Sequence, residues 1–312
     1  MNRRQFLAGS AAAGALAMVR PGQLFAEPVK PSQALRLVLI HTNDVHSRLD
    51  PMDSGEHKGL GGVEARATTI RSLRAAHPHT LLLDAGDMLQ GTPYFNLFGG
   101  EAEFKAMSAI GYDVATAGNH DFDNGTQSLA DNITKHGNFP VLNCNYDVRD
   151  TALAGKFRES VVFEKAGLRI GVVGVGIKLD GLVMNELHEG VIYKNPVTEV
   201  ERVAKVLRND EKCDFIICLS HLNLNSVGQN RSGEPGDRDI AARIPEIDVV
   251  IGGHNHFFLD QPDRVWREKS PAFIGQAGWG GTHLGVMSLD IFERDKKALA
   301  TAQLFGASPV LT

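Results

Sequence analysis

Aspartate, asparagine or histidine side chains follow five apolar runs of this sequence, at the point where each run ends. Each run has the length and composition of a buried β-strand. The C-terminal ends of parallel strands lie at one edge of a sheet, where the sites of α/β proteins form. The pattern therefore predicts that these side chains meet in one site. They are Asp44, His46, Asp87, Asn119, His221, His254 and His256.

These side chains together form a ligand set for divalent metal ions. Carboxylate, imidazole and amide groups suit Mn, Fe, Zn or Co, whereas a thiolate site would need cysteine. Taken singly, a strand-end aspartate more often caps a helix, and a lone histidine is more often structural. Five such coincidences at one sheet edge are improbable, so the sequence predicts a metal centre.

Two details indicate two ions rather than one. Seven candidate ligands exceed what one ion with an open position requires. Asp44 and His46 are two positions apart, a spacing that places both side chains on one side of an extended segment. His254 and His256 repeat this spacing. Two ions about 3.5–4 Å apart would clamp a phosphate and activate a bridging hydroxide for in-line attack.

His120 is a candidate catalytic residue rather than a ligand. It directly follows the candidate ligand Asn119, at a tight turn after Gly118. From there it could donate a proton or a hydrogen bond to the leaving oxygen. Asp121 or Asp123 could orient its imidazole, as in a catalytic dyad.

Strands and helices alternate along the chain around these motifs. The alternation predicts helices that cover a mostly parallel sheet, with antiparallel strands added by hairpins. Strands are predicted at 35–40, 81–83, 114–117, 141–143, 215–219 and 249–251, helices at 63–76, 102–110, 126–136, 196–207 and 240–244, and hairpins at 161–175 and 286–304.

Charge and the remaining conspicuous residues limit other interpretations. The formal net charge is −5 and the Lys and Arg residues are scattered, so the basic face of a nucleic-acid-binding protein is missing.

The three cysteines lie in apolar runs and are predicted to be buried thiols. Asn43 and His41 are predicted to support neighbouring ligands. Trp279 is assigned to ordinary packing, with the rim of a pocket as the alternative.

The N-terminus has the layout of an export signal. Arg3 and Arg4 precede an apolar stretch at 6–19, which is shorter than the roughly 20 residues of a membrane-spanning helix. The paired arginines resemble a twin-arginine signal. We therefore expect a periplasmic protein without a stable membrane anchor after cleavage near Ala26. The predicted segments are a signal at 1–26, a linker at 27–34 and one domain at 35–312.

The blocks that carry the candidate ligands resemble those of the calcineurin-like metallophosphoesterases. Flanking residues narrow the resemblance to the N-terminal catalytic domain of the bacterial periplasmic 5′-nucleotidases, over about residues 35–292. The blocks, in the family's order, are Asp44-x-His46, Gly86-Asp87, Gly118-Asn119-His120-Asp121, His221 and Gly253-His254-Asn255-His256.

The resemblance implies a four-layer α/β/β/α sandwich that binds two divalent metal ions. It implies that His120 acts on the transition state with Asp123 as its carboxylate partner. It also implies that Asp87 bridges the ions. The first ion would be held by Asp44, His46, Asp87 and His256. The second would be held by Asp87, Asn119, His221 and His254.

The resemblance also implies an exported hydrolase of phosphomonoesters such as nucleotides. Family 5′-nucleotidases select the nucleotide with a second, C-terminal domain, and this sequence ends at Thr312. The expectation is therefore either a separately encoded substrate-binding subunit or action on simpler phosphate esters. The alternatives on the same scaffold are a cyclic-nucleotide phosphodiesterase and a sulfate thiohydrolase. A non-catalytic metal-binding subunit is a third alternative, against which the presence of His120 argues.

Overall fold

The computed structural model describes residues 34–226, 233–268, 270–292 and 297–306. The predicted export signal and nearly all of the predicted linker lie outside these residues. The strands are β1 (Ala34–Thr42), β2 (Thr80–Asp84), β3 (Val114–Thr116), β4 (Val141–Leu142), β5 (Tyr146–Asp147), β6 (Ser160–Lys165), β7 (Leu168–Gly176), β8 (Ile192–Tyr193), β9 (Phe215–His221), β10 (Val249–Gly252), β11 (Asp263–Val265), β12 (Ala272–Gly275), β13 (His283–Phe292) and β14 (Lys297–Gly306). The helices are α1 (Val63–Ala76), α2 (Pro93–Phe98), α3 (Glu101–Ile110), α4 (Gly125–Lys135), α5 (Pro196–Asn209) and α6 (Asp237–Arg243).

Twelve of these strands form two six-stranded sheets. The first has the order β14-β13-β1-β2-β3-β4, and the second has the order β11-β12-β10-β9-β7-β6. Strands β1 to β4 pair in parallel, as do β7, β9, β10 and β12. Strands β6, β11 and β14 pair in an antiparallel manner with their neighbours. The sheets are therefore parallel at the centre with antiparallel strands toward the edges, as the alternation of elements predicts.

Three buried apolar clusters separate four layers. Alternate residues of β1 serve two of them, because successive side chains of a strand point to opposite faces. Leu37 and Leu39 pack between the sheets, whereas Val38 and Ile40 pack toward α1, α3 and α4. The third cluster packs the second sheet against α5 and α6. The predicted α/β/β/α sandwich is confirmed.

The predicted helices and strands are found with their ends shifted by at most a few residues. Ala166 and Gly167 both adopt positive φ in the tight turn between β6 and β7, which suits a two-residue hairpin loop. The cysteines are free and buried, as predicted. The short elements α2, β5, β8, β11 and β12 were not predicted. None of the described helices has the length and apolarity to cross a membrane.

Candidate metal centre

The predicted ligands lie at the C-terminal ends of strands from both sheets. In the first sheet they follow β1, β2 and β3, and in the second they end β9 or follow β10. The loops after β1 and β2 continue the strand pairing: the N–H of Asp44 donates to the carbonyl of Gly86 (2.9 Å) and that of His46 to the carbonyl of Asp87 (3.0 Å). The sheet pairing thus extends into the loops that carry the first three candidate ligands.

Six of the seven predicted ligands form two clusters of three. Within each cluster, the candidate ligand atoms all lie within 4.8 Å of one another. The first cluster is Asp44, His46 and His256, and the second is Asp87, His221 and His254. The clusters adjoin, since His46 Nε2 lies 3.9 Å from Asp87 Oδ2, and His221 Nε2 lies 4.0 Å from Asp44 Oδ1. Both carboxylates therefore lie between the two groups of imidazoles.

Asn119, the seventh predicted ligand, adjoins the second cluster. Its Oδ1 atom lies 3.0 Å from His254 Nδ1. The backbone N–H of His254 donates to both carboxylate oxygens of Asp44 at 3.0 Å. The structure thus brings all seven predicted side chains together at one edge of the sandwich.

His221 supplies a direct test of whether these residues fit a metal ion. Its side chain is fully buried, and its Nδ1–H donates to the carbonyl of Ala85 (2.7 Å). The Nε2 atom lies 3.1 Å from Asp87 Oδ2, yet it has no hydrogen-bond partner in the described part of the chain. An imidazole held through Nδ1, with its Nε2 facing a carboxylate, is the arrangement of a metal-binding histidine. The residues therefore fit a divalent cation.

The electrostatics of the centre favour the same conclusion. Burial lowers the pKa of His46, and that of His254 to about 4, which keeps both imidazoles in the neutral form that binds metal. The pKa of His221 is raised to about 10, because the Asp87 carboxylate outweighs the opposing effect of burial. The pKa of Asp87 lies well below its usual value despite burial, mainly because of His221. The buried Asp87 carboxylate thus favours positive charge beside it, on His221.

Backbone strain is concentrated at the predicted ligands. Nine non-glycine residues in the described ranges have positive φ, and five of them are predicted ligands. Such conformations cost about 1–3 kcal/mol each and persist where surrounding contacts enforce them. The prediction that the two spaced pairs lie in extended segments is therefore wrong: left-handed turns aim these side chains, and the members of the second pair serve different clusters. The five are Asp44 (50°), His46 (51°), Asp87 (54°), His254 (70°) and His256 (58°).

A glycine permits the closest approach between two ligand loops. A Cβ atom added at Gly118 would lie 2.2 Å from Asp87 Oδ1 and 2.7 Å from His221 Cε1. Both atoms belong to buried residues, so neither could move aside. Any side chain at this position would therefore displace two of the predicted ligands.

His120 lies at the rim of this centre. Its Nδ1 atom is 2.7 Å from Asp123 Oδ2, and this hydrogen bond raises the pKa of the imidazole. Its backbone N–H donates to Asp87 Oδ1 (2.8 Å). The structure places Asp123, rather than Asp121, against the ring. The Asp121 carboxylate instead accepts hydrogen bonds from backbone N–H groups in the loops that follow β2 and β3, including that of Asp87 (3.1 Å).

Two buried side chains that support the centre were not predicted from the sequence. Glu103 of α3 accepts a hydrogen bond from Ser47, the residue after His46. Gln276, which follows β12, accepts from the N–H of Phe257 (2.5 Å) and donates to the carbonyl of Gly253 (2.7 Å). Gln276 thus holds both ends of the segment that carries the last two predicted ligands.

Asn43 connects the first ligand loop to the second sheet, and its loss should weaken metal binding. Its Nδ2 donates to Asp44 Oδ2 and to the carbonyl of Gly278, both at 2.6 Å, and its Oδ1 accepts from the N–H of Ala277. Asn43→Ala should weaken metal affinity by about 10–100-fold, measured by competition with a chromophoric chelator. Asn138→Ala, at an exposed site, is the control. Equal affinities in the two variants would contradict this role.

Comparison with known proteins gives two family matches. Residues 37–258 match the model described as calcineurin-like phosphoesterase. Residues 1–19 match the model of the twin-arginine translocation pathway signal sequence. The chain is 36% identical over 234 residues to a snake venom 5′-nucleotidase of Gloydius brevicauda, and the match covers 72% of this chain and 38% of that protein.

A bacterial relative and a solved structure are also described as 5′-nucleotidases. A 5′-nucleotidase of Vibrio cholerae is 34% identical over 256 residues, 79% of this chain and 45% of its own length. The crystal structure of a 5′-nucleotidase precursor from Thermus thermophilus superposes with a TM-score of 0.76 at 28% identity, over 88% of this chain and 56% of that one. The chain spans less than half the length of the curated relatives described here.

Proposed function

The chain belongs to the calcineurin-like phosphoesterase family, and from this premise we propose that it is a two-metal hydrolase of phosphomonoesters, with nucleotides as its substrate class. Family membership makes it a metal-dependent phosphoesterase, and the signal-sequence match indicates export to the periplasm. The proposed parts are the number of ions, the residue roles and the substrate. The relatives named 5′-nucleotidase support the choice of nucleotides.

One observation carries the proposal: two adjoining ligand clusters have a histidine–carboxylate dyad at their rim. The ring centroids of His46 and His120 are 5.3 Å apart. His120 therefore lies beside the ligands while its Nδ1 is engaged by Asp123. A protein that only bound metal would have no need of an oriented imidazole at this position.

The residues divide into ion-holding and substrate-directed groups. When bound, two divalent ions, Mn, Zn, Fe or Co, would supply Lewis-acid catalysis and an activated water nucleophile. The first would be held by Asp44, His46, Asp87 and His256. The second would be held by Asp87, Asn119, His221 and His254.

His120 is proposed to assist departure of the leaving group. The hydrogen bond to Asp123 fixes the ring through Nδ1, so Nε2 is the nitrogen available to the substrate. The backbone bond from His120 to Asp87 holds this residue at a set distance from the clusters. A proton or hydrogen bond donated from Nε2 would stabilise charge on the leaving oxygen.

The proposal is tested with the purified mature chain, loaded with Mn. The substrates are AMP, 2′,3′-cyclic AMP, an aryl phosphate and its bis-aryl diester. We expect hydrolysis of the two monoesters, with AMP preferred. A preference for cyclic AMP or the diester would replace the proposal by a phosphodiesterase.

Two further outcomes bear on the alternatives. Turnover by the purified chain alone would contradict the hypothesis of a separately encoded substrate-binding subunit. Inactivity on all four compounds, with two ions bound per chain, would contradict activity of the chain by itself and favour either a separately encoded substrate-binding subunit or the sulfate thiohydrolase.

A further inference from the structure

His256 differs from His221 in how its ring is held. The His256 side chain is 39% exposed, and its Nε2 atom lies 3.4 Å from Asp44 Oδ1 and 3.2 Å from His46 Nε2. A ligand histidine ordinarily has its second ring nitrogen fixed by a hydrogen bond, as Ala85 fixes that of His221. Within the described ranges, Nδ1 of His256 has no such partner. The described residues therefore offer this ring a contact of another kind.

Trp279 supplies that contact. The ring centroids of His256 and Trp279 are 5.8 Å apart, and the ring planes differ by only 15°. Rotating the imidazole about its Cβ–Cγ bond would tilt it out of this stack and lose the contact between the ring faces. The stack therefore restrains the rotation that a hydrogen bond on Nδ1 would otherwise prevent.

The backbone around Trp279 is fixed by protein contacts that involve no ion. Asn43 Nδ2 donates to the carbonyl of Gly278 (2.6 Å), and the N–H of Gly280 donates to the carbonyl of Asp44 (2.7 Å). Both residues that flank Trp279 are thus bonded to the loop that carries a ligand. The backbone on both sides of Trp279 is consequently held at a fixed position relative to the first cluster.

Arg48 adds a second contact to the indole. Its Cζ atom lies 5.9 Å from the centroid of the Trp279 ring, within range of a cation–π interaction. In the described part of the chain, this guanidinium makes no hydrogen bond or ion pair. Because Arg48 is two residues after His46, the contact ties Trp279 to the loop of another ligand of the same cluster.

We propose that Trp279 is a positioning residue, which holds the His256 imidazole in its metal-binding orientation by stacking instead of by a hydrogen bond. The inference rests on the proposed two-metal centre. It assigns Trp279 to the ion of the Asp44, His46 and His256 cluster, and not to the second ion. The assignment to ordinary packing made from the sequence is thereby replaced.

The composition of the chain offers a direct spectroscopic test. The only other tryptophan, Trp266, is 71% exposed, and the Arg264 guanidinium lies over its ring. In Trp266→Phe, Trp279 is the sole indole and reports on its own surroundings. Titrating Co²⁺ into the metal-stripped variant should quench its emission saturably. An emission that does not respond while ions bind would overturn the proposal.

Metal affinity provides the second measurement, by chelator competition with Mn²⁺. Trp279→Leu should weaken one of two ions by about 10-fold or more and leave the other unchanged. Trp279→Phe, which keeps a stacking surface, should restore most of the affinity. Trp266→Leu is the matched control and should match the wild type.

Three outcomes would overturn the inference. The first is unchanged affinity for both ions in Trp279→Leu, and the second is equal weakening of both. The third is a raised KM with unchanged metal affinity, which would make Trp279 a substrate contact. Inactivity of the wild-type chain on phosphate esters would contradict the proposed function but not the stacking, which is read from metal affinity. A wild-type chain that binds no ion would overturn both.

Discussion

Replacing Asp87 by asparagine should abolish most activity, with kcat/KM falling by about 10³-fold or more. The metal ions of such centres contribute several kcal/mol of transition-state stabilisation, and about 1.4 kcal/mol corresponds to a factor of ten. The Asp87 carboxylate lies 3.1 Å from His221 Nε2 and 3.9 Å from His46 Nε2. One substitution therefore removes a charged ligand from both proposed sites. Metal analysis should show fewer ions per chain than in the wild type.

Asparagine preserves the shape of the Asp87 side chain, and its amide oxygen can still accept the hydrogen bond from His120 N–H. A folding defect is thereby separated from a metal-binding defect, with thermal unfolding as the check. Asp131→Asn is the control, since that carboxylate is 45% exposed and pairs with Lys135. An Asp87→Asn variant that kept two ions and the wild-type rate would exclude a bridging role.

Replacing His120 by alanine should lower kcat by about 10²–10⁴-fold while the ions remain bound. The reason is that His120 contacts the ligands through its backbone and through ring packing, while its own Nδ1 is engaged by Asp123. Asp123→Asn should give a smaller loss, because the imidazole remains present but is less firmly oriented. Steady-state kinetics combined with metal analysis of the same preparations provides the measurement.

His136→Ala is the matched control for His120. That histidine directly follows α4, which carries none of the predicted ligands, and its Nε2 lies 3.9 Å from Glu101 Oε2. If His120→Ala lost an ion, the residue would be a ligand. If its kcat stayed at the wild-type value, the leaving-group role would be excluded.

Most of the fold, and the side chains that meet at the centre, follow from local sequence patterns. An apolar run that ends abruptly in Asp, Asn or His marks a buried strand and its C-terminal end at once, as β2 before Asp87 and β9 at His221 illustrate. Parallel pairing then brings those ends together. Because this reasoning needs only the order of residue types, it identified all seven side chains that the structure brings together.

The supporting contacts could not be predicted in the same way. Glu103 has the sequence context of an ordinary helical surface residue, and only the packing of α3 places its carboxylate against Ser47. Gln276 was missed because β12 has four residues, too few for a periodic signal. The left-handed turns at the ligands were missed because positive φ is expected at glycine, whereas these positions hold Asp and His.

The origin of the ligands in both sheets has a consequence for unfolding. His46 and His256 are 210 positions apart along the chain, and they extend from different sheets of the sandwich. An ion bound by both would close a loop of that length, as a covalent cross-link does, and would reduce the conformational entropy of the unfolded chain that retained it. Separating the sheets would require release of the ion. Ions bound at the proposed centre would then stabilise the folded chain against unfolding, most strongly when the surrounding metal concentration is well above their dissociation constants.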